Sequence, residues 1–258
     1  MNATLKPQDL EQALTALARQ YPERMIAGQL ADVPRIAFNI QIVLDRKGSD
    51  ITLADIGGGI GLYSVGCAAA GIKAILVDDF QDENNRPIAE EVLKLHKAKG
   101  VQIVSQDVIA KPLDLPPASV DAITCFDSME HWHNSPKRLF HHLMQILKPG
   151  GLFVLAVPNC VNLRKRVTVP FGHGKWSRMD YWYEQEVFRA HVREPDVDDL
   201  HYIARDLKLQ NVEILGRNWL GYASGKPIIR AATKFVDKII QFRPTLCSNI
   251  YLIGRKAI

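Results

Sequence analysis

Short runs of β-branched and aliphatic residues alternate along this chain with stretches whose apolar positions recur at helical spacing, a rhythm that predicts parallel strands joined by helices. It starts with a strand over 51–56 and a helix near 60–70. Strands are expected next over 73–77, 101–106, 120–126 and 152–157, with helices over 86–99 and 136–147 between them. These strands are apolar throughout rather than alternating, as strands covered on both faces of a sheet are. Pro149-Gly150-Gly151 ends the second of those helices and turns the chain into its strand. Two helices, over 7–20 and 33–44, precede the first strand and form an N-terminal helical cap over 1–46.

After Pro158 the rhythm stops. Residues 158–194 are rich in aromatic and basic side chains, and so long a connection inside one domain is expected to be a lid or acceptor-binding insertion. A helix over 196–207 and a strand over 211–216 resume the pattern. A second insertion, 220–245, carries an amphipathic helix over 227–242 before a last strand over 248–254. There are no internal repeats, and the whole chain, 1–258, reads as a single domain.

Composition narrows the class. With 47% hydrophobic and 23% charged residues in 258, the chain is neither disordered, collagen-like nor a coiled coil. Cys67, Cys125, Cys160 and Cys247 are widely spaced, which suggests neither a disulfide framework nor a zinc site and fits the reducing cytoplasm. The first residues lack the apolar core of a signal peptide, and no uncharged run of ~18 residues could span a membrane. The net charge of +4 is unevenly spread. From Leu215 onward eight Lys/Arg face one acid, and Pro158–Glu194 holds seven against four, so the remainder is acidic. An anionic partner on that basic side is expected.

The candidate chemistry begins where the first strand runs into Asp55-Ile56-Gly57-Gly58-Gly59-Ile60-Gly61, with Asp78 just after the second strand. Glycines at a strand-to-helix turn let the backbone pass close to a ligand, and a carboxylate ending the second strand can accept both hydroxyl hydrogens of a ribose. An adenosine-containing cofactor is expected.

Over roughly 51–216 the sequence resembles the class I S-adenosylmethionine-dependent methyltransferases. Asp55 with Gly57, Gly59 and Gly61 matches their glycine motif, Asp78 the ribose acid, and Gln106-Asp107-Val108 the acid that meets the adenine amino group. Ser128-Met129-Glu130-His131 looks like the Glu-His segment of small-molecule members, and Leu147-Lys148-Pro149-Gly150-Gly151 like the turn before the fifth strand. The resemblance implies S-adenosyl-L-methionine as cofactor, held by these residues and Phe126. It also implies a Rossmann-like α/β fold with helices on both faces of a mostly parallel sheet, order 3-2-1-4-5-7-6, the last strand antiparallel.

The implied reaction is an in-line displacement at the sulfonium methyl, in which the protein mainly positions the reactants. A hydroxyl acceptor must lose its proton, and histidine suits that at neutral pH. His131, after the charged Glu130 at the carboxyl edge of the sheet, is the first candidate; its alternative role is to cap a helix or pack under the cofactor. His191, in Arg189-Ala190-His191-Val192-Arg193, resembles a His-x-Arg element of sugar and lipid methyltransferases, or else links lid to core. His141 and His142 lie on a helix, where exposure or packing is the better reading. His131, His133, His173 and His191 show no close ligand spacing, so no metal is expected.

In the lid, Phe171, Trp176, Tyr181, Trp182, Tyr183 and Phe188 are interleaved with Arg164, Lys165, Arg166, Lys175 and Arg178. Aromatic faces can stack on sugars or bases while guanidinium groups hold phosphates; the alternative is a small core of the lid's own. On the helix over 228–242, Ile228, Ile229, Ala232, Phe235, Val236, Ile239 and Ile240 share a face. That face is expected to be buried on the domain or a second subunit, with peripheral membrane contact as the alternative.

The favoured activity is O-methylation of a small or lipid-linked anionic acceptor such as a sugar or polysaccharide intermediate. Residues 216–219 and 249–256 resemble the tails of methyltransferases of surface-polysaccharide assembly. The alternatives are a nucleic-acid methyltransferase, disfavoured by Phe126-Asp127-Ser128-Met129 after the fourth strand, and a non-catalytic cofactor-binding subunit.

Overall fold

The computed structural model describes residues 7–81, 86–174, 177–219 and 226–258; Lys175, Trp176 and the start of the second insertion lie outside them. The strands are β1 (Thr52–Ile56), β2 (Lys73–Asp78), β3 (Gln102–Ser105), β4 (Val120–Phe126), β5 (Leu147–Pro158), β6 (Gln210–Arg217) and β7 (Asn249–Arg255). They form one sheet in the order β3-β2-β1-β4-β5-β7-β6. The first five run parallel, and β7 is antiparallel to both β5 and β6. The carboxyl ends of β1, β2 and β4 therefore share one edge, where ligands bind in open α/β sheets.

The helices are α1 (Pro7–Ala18), α2 (Glu23–Lys47), α3 (Leu62–Ala69), α4 (Arg86–Ala98), α5 (Lys137–Ile146), α6 (Leu163–Thr168), α7 (Met179–Tyr183), α8 (Val197–Asp206) and α9 (Pro227–Ile240). Both faces of the sheet are covered, so alternate residues of one strand enter different cores. On β5, Leu152, Val154 and Ala156 pack with α1, α2 and α3, whereas Phe153, Leu155 and Val157 pack with α5 and α8. A fully buried leucine such as Leu143 contributes about 1.5–3 kcal/mol to this arrangement.

Two expected boundaries move. Helix α2 starts at Glu23, ten residues before the expected 33, and continues through Pro34. A proline in a helical pattern reads as a boundary because it removes one N–H, here the partner of the Leu30 carbonyl; flanking turns packed on α1 and α3 carry the helix past it. Strand β5 starts at Leu147, paired with Val120, so Pro149-Gly150-Gly151 lies at an irregularity within the strand rather than before it.

The lid is clamped at its base. Asn159 N–H donates to the Ser248 carbonyl (2.8 Å), its side-chain amide donates to the Cys247 carbonyl (2.9 Å), and Cys160 N–H donates to the Pro195 carbonyl (3.1 Å). Beyond this base the described residues of the lid form no core of their own, since neither α6 nor α7 contributes a buried residue. Phe171, Trp182 and Tyr183 are exposed. The expected burial of the amphipathic helix on the domain is also overturned: Ile228 is 84% exposed and Phe235 67%, and Asp237 alone on α9 is buried. Asp237 accepts from the Asn218 side chain at 2.8 Å, which tethers the helix by its polar side. Among the described residues no helix is long and apolar enough to cross a membrane.

Candidate active site

At the carboxyl edge a cleft of about 400 Å³ is walled by the turn after β1, the end of β2, the segment after β3 and the segment after β4. Gly57, Gly59, Asp78, Asp107, Val108 and His131 stand in its wall. The turn is shaped by what glycine alone permits. Gly59 holds φ +59° and donates its N–H to Asp78 Oδ2 at 3.0 Å, while a Cβ on Gly58 would collide with the Asp55 carboxylate. Asp78 Oδ1 accepts from Phe80 N–H at 2.7 Å, so this carboxylate is fixed at the cleft rim. Asp107 Oδ1 accepts from Ile109 and Ala110 N–H at 2.9 and 3.0 Å, closing an Asx-type turn.

Asp55, Gly61 and Phe126 lie outside the cleft wall. The Asp55 carboxyl is buried under the turn, where it accepts from Ser64 Oγ (2.7 Å) and Thr124 Oγ1 (3.3 Å), and burial pushes its pKa up to about 7. It supports the turn from beneath. Gly61 precedes α3, and its carbonyl accepts from the Tyr21 hydroxyl at 2.9 Å, an N-terminal-cap contact to the same turn. Phe126 meets Tyr63 edge-on at 4.8 Å.

The segment after β4 forms a short 3-10 turn over Met129–His131. It aims His131 into the cleft and buries Glu130 behind it. His131 Nδ1 contacts the Arg189 carbonyl at 2.8 Å; a carbonyl only accepts, so Nδ1 carries hydrogen and the neutral ring keeps its lone pair on Nε2. The His191 ring stands edge-to-face against His131, centroids 4.9 Å apart, with Nδ1 at 2.7 Å from Glu194 Oε1. Lys165 pairs with the other oxygen of Glu194. His191 thus faces His131 and is also joined to the lid. His141 and His142 bind Asp206 and the Leu113 carbonyl away from the cleft.

Several further residues of the site were given no role by the sequence, although Ile60, Asp127, Ser128 and Arg189 stand inside its motifs. Ser128 packs its hydroxyl side against Gly57, and Trp132, Ile60 and Arg189 complete the wall. Phe80 and Asp127, also in the wall, hold φ +55° and +47°, a costly region for side-chain-bearing residues that clusters at ligand sites. Asp127 is ion-paired with Arg35 of α2. Periodicity reports which face of an element is apolar, and none of these positions breaks that pattern.

Residues 26–214, most of the chain, match the family described as methyltransferase domain. The chain belongs to that family. It is an S-adenosylmethionine-dependent methyltransferase, with the sheet order the family implies. Solved structures agree in fold. A methyltransferase of Thermotoga maritima is 14% identical, with 96% of this chain and 99% of that one covered at TM-score 0.58. One from Archaeoglobus fulgidus is 18% identical, covering 85% and 92% at 0.53. Phosphoethanolamine N-methyltransferase 2 of Haemonchus contortus, solved with S-adenosyl-L-methionine, is 16% identical, covering 100% of this chain and 59% of that one at 0.55. No curated protein matches the chain significantly.

Proposed function

We propose that this methyltransferase acts on a hydroxyl of an anionic acceptor, small or lipid-linked, of the sugar or polysaccharide-intermediate class. The observation that carries this is His131, whose ring stands in the cleft wall and is oriented from the lid by the Arg189 carbonyl. In this reading the glycine turn, Asp78, Asp107 and Val108 hold the cofactor, and its methyl points toward His131. The acceptor oxygen attacks that carbon, the C–S bond breaks with its electron pair left on sulfur, and the acceptor proton leaves on the His131 side. The cofactor supplies the leaving group.

The lipid-linked acceptor is supported by the surface around α9. An apolar groove of about 510 Å³ runs between α6 and α9, lined by Leu163, Val167, Ile229 and Val236, with Arg164 on its rim. Arg230, Lys234 and Lys238 share the helix with the exposed apolar side chains. That combination fits the surface of an anionic membrane. Arg217-Asn218-Trp219, by contrast, serves the fold: Trp219 Nε1–H donates to the Tyr251 hydroxyl at 2.7 Å. These residues therefore add nothing to the choice of acceptor.

The test is methyl-labelled cofactor offered with lipid-linked saccharide on anionic vesicles, with soluble saccharide, and with amine and nucleic-acid acceptors. Label in an alkali-stable ether of the saccharide supports the proposal. Label confined to an amine or a nucleic acid replaces it.

A further inference from the structure

Glu130, His131 and His191 are far apart or awkwardly spaced in sequence, yet each brings one ligand atom within 4.8 Å of the others. Glu130 is 1% exposed, and its Oε2 has no hydrogen-bond partner among the described residues. A buried carboxyl oxygen left so is costly unless something satisfies it. Both histidines, moreover, have Nδ1 engaged by an oxygen, His131 by the Arg189 carbonyl and His191 by Glu194. Metal-ligating histidines are held in this way, with one ring nitrogen bound to an oxygen that fixes the ring and its tautomer. Lys165 in turn holds Glu194, and Arg35 neutralises the neighbouring Asp127, so the remaining acids around the cluster already have cationic partners.

We propose that Glu130, His131 and His191 bind one divalent cation of the zinc class at the acceptor end of the cleft. Two imidazoles and a carboxylate suit Zn(II), Co(II) or Fe(II), and three protein ligands leave a position open for substrate. The proposal rests on the methyl-transfer reading of the cleft and changes one part of it: with the cation bound, His131 serves the acceptor as a ligand and not as its base. The acceptor hydroxyl takes the open position, and the cation lowers its pKa so that the proton passes to solvent. The oxygen then forms its bond to the methyl carbon as the C–S bond breaks, giving an ether and a neutral thioether. No electron is gained or lost overall, and the cation is unchanged.

The full-length protein, stripped with chelator, is titrated with Co(II) and followed by visible absorption, while calorimetry measures S-adenosylmethionine affinity on the same samples. One equivalent of cobalt with the intense bands of a four- or five-coordinate site is expected. Glu130→Gln and His191→Gln should each weaken cobalt binding at least ~100-fold, and Glu194→Gln, which only orients His191, by about 10–100-fold. Cofactor affinity should stay within about twofold in all three, which also shows that they are folded. Absence of stoichiometric cobalt in a protein that binds cofactor overturns the cation, as does undiminished cobalt in both Glu130→Gln and His191→Gln. Failure of the cofactor to bind the unmodified protein overturns the reading of the cleft instead.

Discussion

Asp78 and Asp55 are two carboxylates of one glycine turn with opposite duties. Asp78 stands at the cleft with its oxygens set by Gly59 and Phe80 N–H groups. Its replacement, Asp78→Ala, should weaken S-adenosylmethionine binding by about 1.5–3 kcal/mol, the range for a lost hydrogen bond to a charged group, read by calorimetry. Asp55 is buried, and its pKa rises from 3.8 to about 7 on folding. The folded state therefore holds a proton that the unfolded state has released between those values, so stability contributed by this group is lost as pH climbs from 3.8 toward about 7. Asp55→Asn should flatten that descent in thermal unfolding against pH; an unchanged slope would remove Asp55 as its source. The glycine motif was legible in the sequence, but the side on which Asp55 lies was not read from it. Strand parity explains the outcome: Asp55 shares a face with Leu53, which packs in the α1–α3 layer, and so it meets Ser64 of α3 rather than the cleft. His131→Ala should lower turnover ~10²–10⁴-fold with cofactor affinity nearly intact, because the ring serves the acceptor and not the donor. An equal fall in both would make His131 a cofactor or packing residue.

Among elements, α9 and the lid depart furthest from what amphipathicity alone suggests. A helix with one apolar face is usually buried by its own domain, yet α9 buries only Asp237 and leaves Ile228, Phe235 and Ile239 exposed. Sequence pattern reports that such a face exists, not what covers it. Phe235→Asp with Lys238→Glu should reduce binding to anionic vesicles at least ~10-fold, since an aromatic side chain contributes about 1.5–3 kcal/mol and each basic residue about 1 kcal/mol. Rising salt should weaken the unmodified protein's binding through screening. Sedimentation with vesicles measures both, and binding that ignores both changes would leave α9 to a protein partner. The lid's basic residues divide on the same structural grounds. Lys165 and Arg166 are spent on Glu194 and on the Val161 and Thr245 carbonyls, whereas Arg164 rims the groove. Arg164→Glu is therefore the informative change for acceptor binding, expected to raise the acceptor KM with the melting temperature unchanged.

At the scale of the whole molecule, the order of the sheet came from the family resemblance, while the strands and the position of the cleft were legible because apolar strand runs and glycine turns are local signals. The pairs that close the site were not, since Arg35 to Asp127 and His131 to His191 join segments that no periodicity relates. The hydrogen bond from Cys160 N–H to the Pro195 carbonyl brings together the two ends of the insertion they enclose. A segment whose ends already meet can change length and composition at little cost in loop-closure entropy to the scaffold beneath. Residues 161–194 thus form a cassette whose outer stretch can be exchanged with little strain on the scaffold, and on the proposed reading a graft that keeps Arg189, His191 and Glu194 beside His131 should change acceptor choice without changing S-adenosylmethionine affinity.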